Sequence, residues 1–171
     1  MAAVRAVAIG RTGSGDWGHA IDRMVATTPG VELVAIADET DEGLAQAVAR
    51  NGLEAKQGFR DWRKMLADVK PAIVAVCMRH VDCHAEMAIA AVDAGAKGIF
   101  MEKPFVRTRA EAEAVIAACR KAGAKLGLAY VNHHAPSYAA VRDLVEDGRI
   151  GKVLELRARG KEDHRGGAED L

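Results

Sequence analysis

Short apolar runs alternate with longer, alanine-rich stretches of mixed polarity along most of the chain. Five of the runs are rich in β-branched and aliphatic residues and predict strands over residues 4–9, 31–37, 72–78, 97–101 and 125–131, with a weaker strand near residues 54–57. The stretches between them predict helices over residues 18–26, 41–50, 61–68, 83–93, 108–121 and 137–146. Strand and helix therefore follow one another in turn.

The strand runs are apolar almost throughout instead of alternating between apolar and polar residues. Such strands are typical of a parallel sheet that helices cover on both faces, so the pattern predicts an α/β fold with a doubly wound parallel sheet. Local signals agree with this prediction. Glycine follows several predicted helices, where a left-handed residue ends a helix, and Thr108 with Glu111 has the spacing of a capping box.

The pattern changes after Gly148. Residues 153–159 alternate between apolar and charged side chains, which predicts an antiparallel strand with one exposed face. Residues 160–171 are almost wholly charged or glycine and could not build a core around that strand. We therefore expect one domain over residues 1–132 and, over residues 133–171, a linker helix and the first strand of an incomplete second α/β domain.

Composition and charge exclude several classes of function. With 171 residues, 50% hydrophobic and 28% charged, the chain is an ordinary globular one with length for one domain and part of another. Its 24 basic and 24 acidic side chains cancel, so no net field draws it to nucleic acid or to an anionic membrane. Its apolar runs are too short to span a bilayer, and its amino terminus lacks the basic head and apolar segment of a signal peptide. Three cysteines without C-x-x-C spacing (Cys77, Cys83 and Cys119) predict reduced thiols in a cytoplasmic protein, with no disulfide and no metal site.

Polar residues follow most of the predicted strands at their carboxyl ends, where open parallel sheets bind ligands. The first strand is followed by Gly10-Arg11-Thr12-Gly13-Ser14-Gly15-Asp16-Trp17-Gly18-His19, the second by Asp38, the fourth by Arg79 and His80, the fifth by Glu102-Lys103-Pro104, and the sixth by Asn132-His133-His134. The sequence thus predicts a ligand site at one edge of the sheet.

The first of these segments contains G-x-G-x-x-G as Gly13, Gly15 and Gly18, between a predicted strand and a predicted helix. In that position glycines let backbone N–H groups approach a pyrophosphate. Gly10 ends the strand, so either Gly10 and Gly13 or Gly13 and Gly15 would face the pyrophosphate, and all four are candidates for binding the cofactor. A flexible turn with glycines for its geometry alone is the alternative.

Asp38 ends the second strand twenty residues after Gly18, where a carboxylate accepts hydrogen bonds from the ribose hydroxyls of an adenine dinucleotide. A helix-capping residue is the alternative. The same carboxylate repels a 2′-phosphate, and the acidic residues that follow it add to the repulsion, so the sequence favours NAD over NADP. Arg11 is the residue that could reverse this preference.

The segment Ala94-Gly95-Ala96-Lys97-Gly98-Ile99-Phe100-Met101-Glu102-Lys103-Pro104 resembles the A-G-K-x-V-x-x-E-K-P signature of the Gfo/Idh/MocA oxidoreductases. That family takes its name from glucose–fructose oxidoreductase, inositol dehydrogenase and a rhizopine-catabolism protein. The glycine loop and His84, at the start of a predicted helix, support the resemblance. It is to the N-terminal half of the family and covers nearly the whole chain.

The resemblance implies an NAD(P)-dependent oxidoreductase acting on a sugar, polyol or related hydroxyl compound, with a Rossmann domain followed by a second α/β domain. It places Lys103 beside the nicotinamide and the reacting hydroxyl as the catalytic residue, where the lysine could hydrogen-bond the developing alkoxide or share its proton. Glu102 and Pro104, the latter with a cis bond in the family, would complete that part of the cofactor site. His133 and His134 are candidates for contacting substrate, with solvated loop histidines as the alternative.

The chain departs from the family at three points. Its glycine loop is longer, and Met78 and Arg79 stand where the family has Pro-Asn, so Arg79 or His80 is expected to contact cofactor or substrate. The C-terminal domain that supplies substrate contacts in the family is nearly absent. We therefore expect a truncated chain, a fragment or a genuinely shortened homologue. The sequence leaves the substrate and the oligomeric state open, a homo-oligomer included.

Other functions compete with this interpretation. One is a non-catalytic nucleotide-binding or regulatory protein that kept the Rossmann domain. Another is a methyltransferase, which also pairs a glycine-rich loop with an acid after the second strand. The E-K-P turn plays no part in a methyltransferase site, which disfavours this alternative. A short-chain dehydrogenase is disfavoured because Tyr130 and Tyr138 lack a lysine four residues later, and a phosphate-loop kinase because no Gly-Lys-Ser/Thr follows the glycines. His84 is expected to cap or pack rather than to catalyse.

Overall fold

Six strands and six helices alternate along the part of the chain that the structure describes. The structure is a computed structural model that describes residues 2–130 and 135–157. The elements are β1 Val4–Ile9, α1 Ile21–Thr27, β2 Val31–Ala37, α2 Asp41–Arg50, β3 Gly58–Phe59, α3 Trp62–Val69, β4 Ile73–Val76, α4 His84–Asp93, β5 Gly98–Met101, α5 Arg109–Ala122, β6 Lys125–Leu128 and α6 Pro136–Glu146. Single turns of 3₁₀ helix occur at Ala55–Gln57 and Val81–Cys83.

The strands form one parallel sheet in the order β3-β2-β1-β4-β5-β6. The chain starts at the centre, winds outward through β2 and β3, and then returns to the other side of β1 for β4, β5 and β6. The direction of winding therefore reverses between β1 and β4, which is where doubly wound sheets bind ligands. The predicted α/β fold with a doubly wound parallel sheet is confirmed.

Side chains of β1 enter two separate apolar layers, one on each face of the sheet. Ala6 and Ala8 belong to the layer built with α1 and α2, whereas Val7 and Ile9 belong to the layer built with α3, α4 and α5. All four are at most 1% exposed. Burial on both faces explains why this strand is apolar from Ala6 to Ile9 instead of alternating.

Two of the differences from the sequence prediction have a local cause. Residues 54–57 do not form a strand, because the Gln57 side chain accepts a hydrogen bond from Glu54 N (2.8 Å) and donates one to Val34 O (3.0 Å), which closes a 3₁₀ turn. The short strand β3 follows that turn instead. The first helix begins at Ile21 and not at residue 18, because Gly18 and Ala20 hold left-handed conformations, with φ of 55° and 56°.

The chain divides into two compact units, and the second begins at Tyr130. The described part of the second unit contains α6, whose first residue is Pro136. Residues 153–157 form no strand, and the side chains of Leu154 and Leu156 are largely exposed. The prediction of a strand here is wrong over residues 153–157, since no described strand lies beside them to pair with, and residues 158 and 159 lie outside the described residues. The expected domain boundary between residues 132 and 133 stays a prediction.

None of the described helices combines the length and the apolar character that crossing a membrane requires.

Candidate functional site

The loop between β1 and α1 contacts the carboxyl ends of three other strands. Its Thr12 bonds to Asp38 after β2, its Gly15 to Arg79 after β4, and its His19 to Glu102 after β5. The loop folds back on itself, since Arg11 N and Asp16 N each form hydrogen bonds across it, and Gly13 N donates to the Asp16 carboxylate (2.8 Å). Three of the predicted site positions, Asp38, Arg79 and Glu102, are thus brought to one loop.

Two glycines of this loop sit where a side chain would run into the backbone after β4. A Cβ on Gly15 would lie 2.4 Å from His80 N, and one on Gly18 would lie 2.4 Å from Cys77 O. Both residues also have positive φ. Of the other two candidates, Gly10 is covered by the indole of Trp17, while a Cβ on Gly13 would meet no atom within 4 Å. Gly15 and Gly18 therefore let the loop lie directly on the ends of β4 and β5.

Asp38 is almost fully buried, and its carboxylate accepts four hydrogen bonds. Thr12 donates to Oδ2 from its backbone N (3.0 Å) and from Oγ1 (2.8 Å). Thr40 donates to Oδ1 from its backbone N and from Oγ1, both at 2.9 Å. A carboxylate has about four lone-pair sites, so these donors occupy all of them. Two of the four are hydroxyl groups.

Both threonines that bind Asp38 also contact the amino terminus of α2. Thr40 is the N-cap residue of that helix, and its Oγ1 accepts a hydrogen bond from Gly43 N (3.0 Å). Thr12 lies against Gly43 so closely that a Cβ on this glycine would come within 2.0 Å of Thr12 Oγ1. The carboxylate thus joins the glycine loop to the start of α2. Spacing alone did not point to Thr12 or Thr40, although a threonine two residues after the acid is a recognisable N-cap signal.

Arg11 is engaged by two acidic side chains and a thiol. Its Nη1 donates to Asp82 Oδ2 (2.9 Å) and to Cys83 Sγ (3.4 Å), and its Nε lies 3.1 Å from Glu39 Oε1. Burial pushes the pKa of Asp82 upward, but the hydrogen bond and charge of Arg11 outweigh burial and hold this pKa below its ordinary value. Burial raises the pKa of the Cys83 thiol. The guanidinium that could have received a 2′-phosphate is therefore already paired.

The Glu102-Lys103-Pro104 turn is fixed from inside the protein. Glu102 is fully buried, and its Oε1 accepts a hydrogen bond from His19 N (2.8 Å) and contacts the His19 ring. Its Oε2 accepts from Lys103 N (2.8 Å). The Lys103–Pro104 bond is cis, as the resemblance implies. A buried carboxylate therefore anchors a half-exposed lysine at the end of β5.

His84 is fully buried behind this turn. Its ring nitrogens lie within hydrogen-bond distance of the carbonyl oxygens of Met78, Pro104 and Phe105. The N-cap residue of α4 is Cys83, so His84 packs inside the protein and does not cap the helix. The sequence placed His84 at a helix start, but it gave no sign that the ring reaches two loops.

A cavity of about 470 Å³ opens between the glycine loop, α1 and α2. Gly18 and Arg79 line it together, beside Thr12, Arg23 and Arg50. The Arg50 guanidinium also lies over the Trp17 ring (4.6 Å) and donates to the buried Asp22 (2.8 Å). The cavity thus presents several guanidinium groups next to the glycines.

Two of the predicted substrate contacts, His133 and His134, lie outside the described residues. Within residues 2–130 and 135–157, no three His, Cys, Asp or Glu side chains come together in a way that could hold a metal ion. All three cysteines are free in the structure.

A protein-family model described as "Oxidoreductase family, NAD-binding Rossmann fold" matches residues 5–130. Among curated proteins, the inositol 2-dehydrogenase of Salmonella typhimurium is 29% identical over 154 residues, which is 90% of this chain and 44% of that protein. The levoglucosan dehydrogenase of Pseudarthrobacter phenanthrenivorans is 34% identical over 122 residues, which is 71% of this chain and 30% of that protein. The chain thus spans less than half the length of these relatives.

Solved structures share the fold. The myo-inositol 2-dehydrogenase of Lactobacillus plantarum superposes with a TM-score of 0.75 at 22% identity, over 89% of this chain and 43% of that one. The scyllo-inositol dehydrogenase of Lactobacillus casei, solved with NAD(H) and scyllo-inositol, gives a TM-score of 0.74 at 21% identity, over 87% and 42% of the two chains.

Proposed function

This chain belongs to the Gfo/Idh/MocA oxidoreductase family, and from that premise we propose that it is the cofactor-binding part of an enzyme that transfers a hydride between NAD and a hydroxyl group of a sugar or polyol. The observation that carries the proposal is the joining of Asp38 and Glu102 to one glycine loop at the edge where the winding of the sheet reverses. A dinucleotide laid along that edge would meet the acid at one end and Lys103 at the other.

The residues around Asp38 fit the ribose of NAD. The carboxylate already binds two hydroxyl groups, those of Thr12 and Thr40, and adjacent ribose hydroxyls are donors of the same kind. NAD would therefore exchange one set of hydroxyl donors for another without leaving the buried charge unpaired.

The charges around Asp38 favour NAD over NADP. Glu39 follows it, and the guanidinium of Arg11 is taken up by Glu39 and Asp82. A 2′-phosphate placed here would meet carboxylates without an available counter-charge from Arg11.

At the other end of the site, Lys103 is the catalytic residue of the proposal. During oxidation its neutral amine would accept the proton of the reacting hydroxyl, and during reduction its ammonium group would donate a proton to the substrate oxygen. Glu102 keeps the Lys103 backbone in place by accepting a hydrogen bond from the N–H of Lys103. The other proposed cofactor-binding residues are Gly10, Gly13, Gly15, Gly18, Arg79 and Pro104, with either Gly10 and Gly13 or Gly13 and Gly15 facing the pyrophosphate. The bound nicotinamide would supply the hydride chemistry.

The substrate class is supported by the relatives, which are named for inositol and levoglucosan. His133 and His134 are proposed to contact that substrate. Three free cysteines support a reducing, cytoplasmic compartment.

The proposal is tested by titrating the chain with NADH and with NADPH, following Trp17 fluorescence and energy transfer to the reduced nicotinamide. NADH is expected to bind more tightly. Asp38→Asn should weaken NADH binding by roughly 10- to 150-fold, the value of a charge-assisted hydrogen bond. It should also reduce the ratio of NADH affinity to NADPH affinity. Asp41→Asn, which removes the same charge from an exposed neighbouring position, is the control. Equal affinity of Asp38→Asn and the parent chain for both cofactors would show that the ribose assignment is wrong.

The role of Lys103 is tested separately. Lys103→Ala should leave NADH affinity unchanged and abolish turnover of a panel of sugars and polyols by the complete enzyme. Retained turnover would remove Lys103 from the mechanism while leaving the cofactor assignment intact.

A further inference from the structure

The guanidinium of Arg11 stands between two carboxylates that follow the strands on either side of β1. Glu39 belongs to the segment after β2, directly beside Asp38, whereas Asp82 belongs to the 3₁₀ turn after β4. In the sheet, β2 and β4 are separated by β1. Arg11 therefore connects the ends of two strands that do not pair with each other.

The two contacts of Arg11 differ in kind. Asp82 accepts from Nη1 with both carboxylate oxygens, at 2.9 and 3.2 Å. Glu39 Oε1 lies 3.1 Å from Nε, but Nε forms no hydrogen bond with any described residue, so this contact is an ion pair only. Nη1 also donates to the thiol of Cys83, beside Asp82 in the chain. Among the described residues, the hydrogen bonds of this guanidinium therefore go to the segment after β4.

Asp82 occupies the kind of atom that a phosphate group would use. Arginine binds phosphate through N–H donors at the edge of its planar guanidinium, and Nη1 is one of the terminal nitrogens that supply them. The backbone of Arg11 is fixed independently of its side chain, since its N–H donates to Asp16 O and its carbonyl accepts from Ser14 N and Asp16 N. The side chain can therefore change its partner while the loop stays in place.

Arg11 lies at the ribose end of the proposed site. The Glu39 that it contacts follows Asp38, and Thr12, the residue after Arg11, donates twice to the Asp38 carboxylate. In doubly wound domains that bind NADP, an arginine near the acid after the second strand accommodates the 2′-phosphate. Arg11 has the position and the donors for that role, but its terminal nitrogen is bound to Asp82.

We infer that Asp82 is a specificity-determining residue: by holding Nη1 of Arg11, it keeps closed a 2′-phosphate site that the chain otherwise carries. The inference rests on the proposed role of Asp38 and goes beyond it. The acids after β2 repel the phosphate directly, whereas Asp82, 71 residues after Arg11 in the sequence, acts through the arginine.

The test compares NADH and NADPH affinities, by isothermal titration, of the parent chain, Asp82→Asn, Arg11→Gln and the double variant. Asp82→Asn should raise NADPH affinity by roughly 3- to 10-fold, because the phosphate no longer has to break a partly exposed ion pair. It should change NADH affinity by less than about 2-fold. In the Arg11→Gln background, Asp82→Asn should leave the ratio of the two affinities unchanged.

Glu86→Gln is the matched control, because it removes the same charge from an exposed ion pair with Arg63 and leaves Arg11 untouched. It should bind both cofactors as the parent chain does. An unchanged ratio in Asp82→Asn would overturn the inference. An equal rise of NADPH affinity with and without Arg11 would also overturn it, because Asp82 would then repel the phosphate directly.

A second measurement follows the Arg11–Asp82 bond without any cofactor. Burial pushes the pKa of Asp82 upward, but the hydrogen bond and charge of Arg11 hold this pKa below its ordinary value. Titration of the Asp82 carboxyl carbon by NMR should therefore give a higher pKa in Arg11→Gln than in the parent chain. Equal values would show that Asp82 does not hold Arg11 and would overturn the inference. A parent chain that binds neither cofactor, with Asp82 titrating as expected, would instead contradict the proposed function on which the inference rests.

Discussion

At the scale of single residues, the carboxylate of Asp38 already accepts hydrogen bonds of the kind that ribose hydroxyls would donate. Four donors satisfy it, and Thr12 supplies two of them from the glycine loop itself. If Asp38 binds the ribose as proposed, the ribose would have to displace a threonine hydroxyl. The affinity for NAD would then be a difference between two similar sets of hydrogen bonds, and Thr12 would help to set that affinity.

Removing that hydroxyl should strengthen NADH binding. Thr12→Val keeps the shape of the side chain but leaves Asp38 Oδ2 with only the backbone N–H of residue 12. We expect NADH affinity to rise by roughly 3- to 10-fold, a part of the worth of one hydrogen bond to a charged group, and stability to fall by about 1 kcal/mol. Isothermal titration and urea unfolding measure the two effects.

Thr12→Ser is the matched control for this change, because it keeps the hydroxyl and should bind NADH as the parent chain does. Equal affinities of the valine and serine variants would show that Thr12 does not compete with the cofactor.

Sequence reasoning located the glycines and the acid of this site but not their partners. Gly18 and Asp38 stand out because motif spacing restricts the residue type at both positions. The hydroxyls of Thr12 and Thr40 and the ring of His84 do not stand out, because their roles depend on which loop lies against which strand end. That information lies in tertiary contacts.

At the scale of elements, the start of α5 shows how one sequence signal can be satisfied in two ways. Thr108 Oγ1 accepts from Glu111 N (3.1 Å), which is the first half of the predicted capping box. The Glu111 side chain, however, accepts from Arg107 N (2.9 Å) and pairs with the Arg107 guanidinium, and so reaches one residue beyond the N-cap. The helix begins where the spacing predicts, with a different second hydrogen bond.

This contact should make the stability of the chain depend on pH. The hydrogen bonds of Arg107, by side chain and backbone, lower the pKa of Glu111 in the folded state. The stabilisation is therefore present above the unfolded value of about 4.3 and is lost as the pH falls through the lower folded value. Glu111→Gln should be less stable than the parent chain at pH about 7, and the difference should vanish in strong acid.

Urea unfolding at several pH values tests this expectation. Glu113→Gln removes an ion pair with Arg109 on the same helix but leaves the Arg107 contact, and should not reproduce the effect. A gap between Glu111→Gln and the parent chain that stays constant from neutral to strongly acidic pH would contradict the expectation.

The errors of prediction at this scale have local causes. The strand expected at residues 54–57 is a turn because a glutamine side chain binds the neighbouring backbone, and α1 begins late because Gly18 and Ala20 are left-handed. The main strands were predictable because burial on both faces leaves a continuous apolar run. Residues 153–157 alternate as a strand would, but no described strand lies beside them. An alternating pattern forms a strand only where a neighbouring strand accepts and donates its hydrogen bonds.

At the scale of the whole molecule, the buried apolar residues of both layers lie within residues 6–129. The strands of the sheet lie within residues 4–128. The sheet and its covering helices therefore form a unit that contains its own core.

A chain that ends after Ala129 should accordingly fold and bind NADH as the longer chain does, with a melting temperature within a few degrees. Ending the chain after Ala122 removes β6 and the packing of Leu126 and Leu128, and should lower the melting temperature markedly. Thermal unfolding followed by circular dichroism distinguishes the two. Failure of the first truncation to fold would show that residues after 129 contribute to the core.

Because β1 lies between β2 and β4 in the sheet, its two edges find their partners at different times during synthesis on the ribosome. One edge of this strand pairs with residues 31–37, but the other edge pairs with residues 73–76. At synthesis rates of about 5–20 residues per second, the second partner emerges roughly 2–8 s after the first. During that interval an apolar strand has one edge closed and one open, so other chains and chaperones compete for the same row of backbone groups that β4 will occupy.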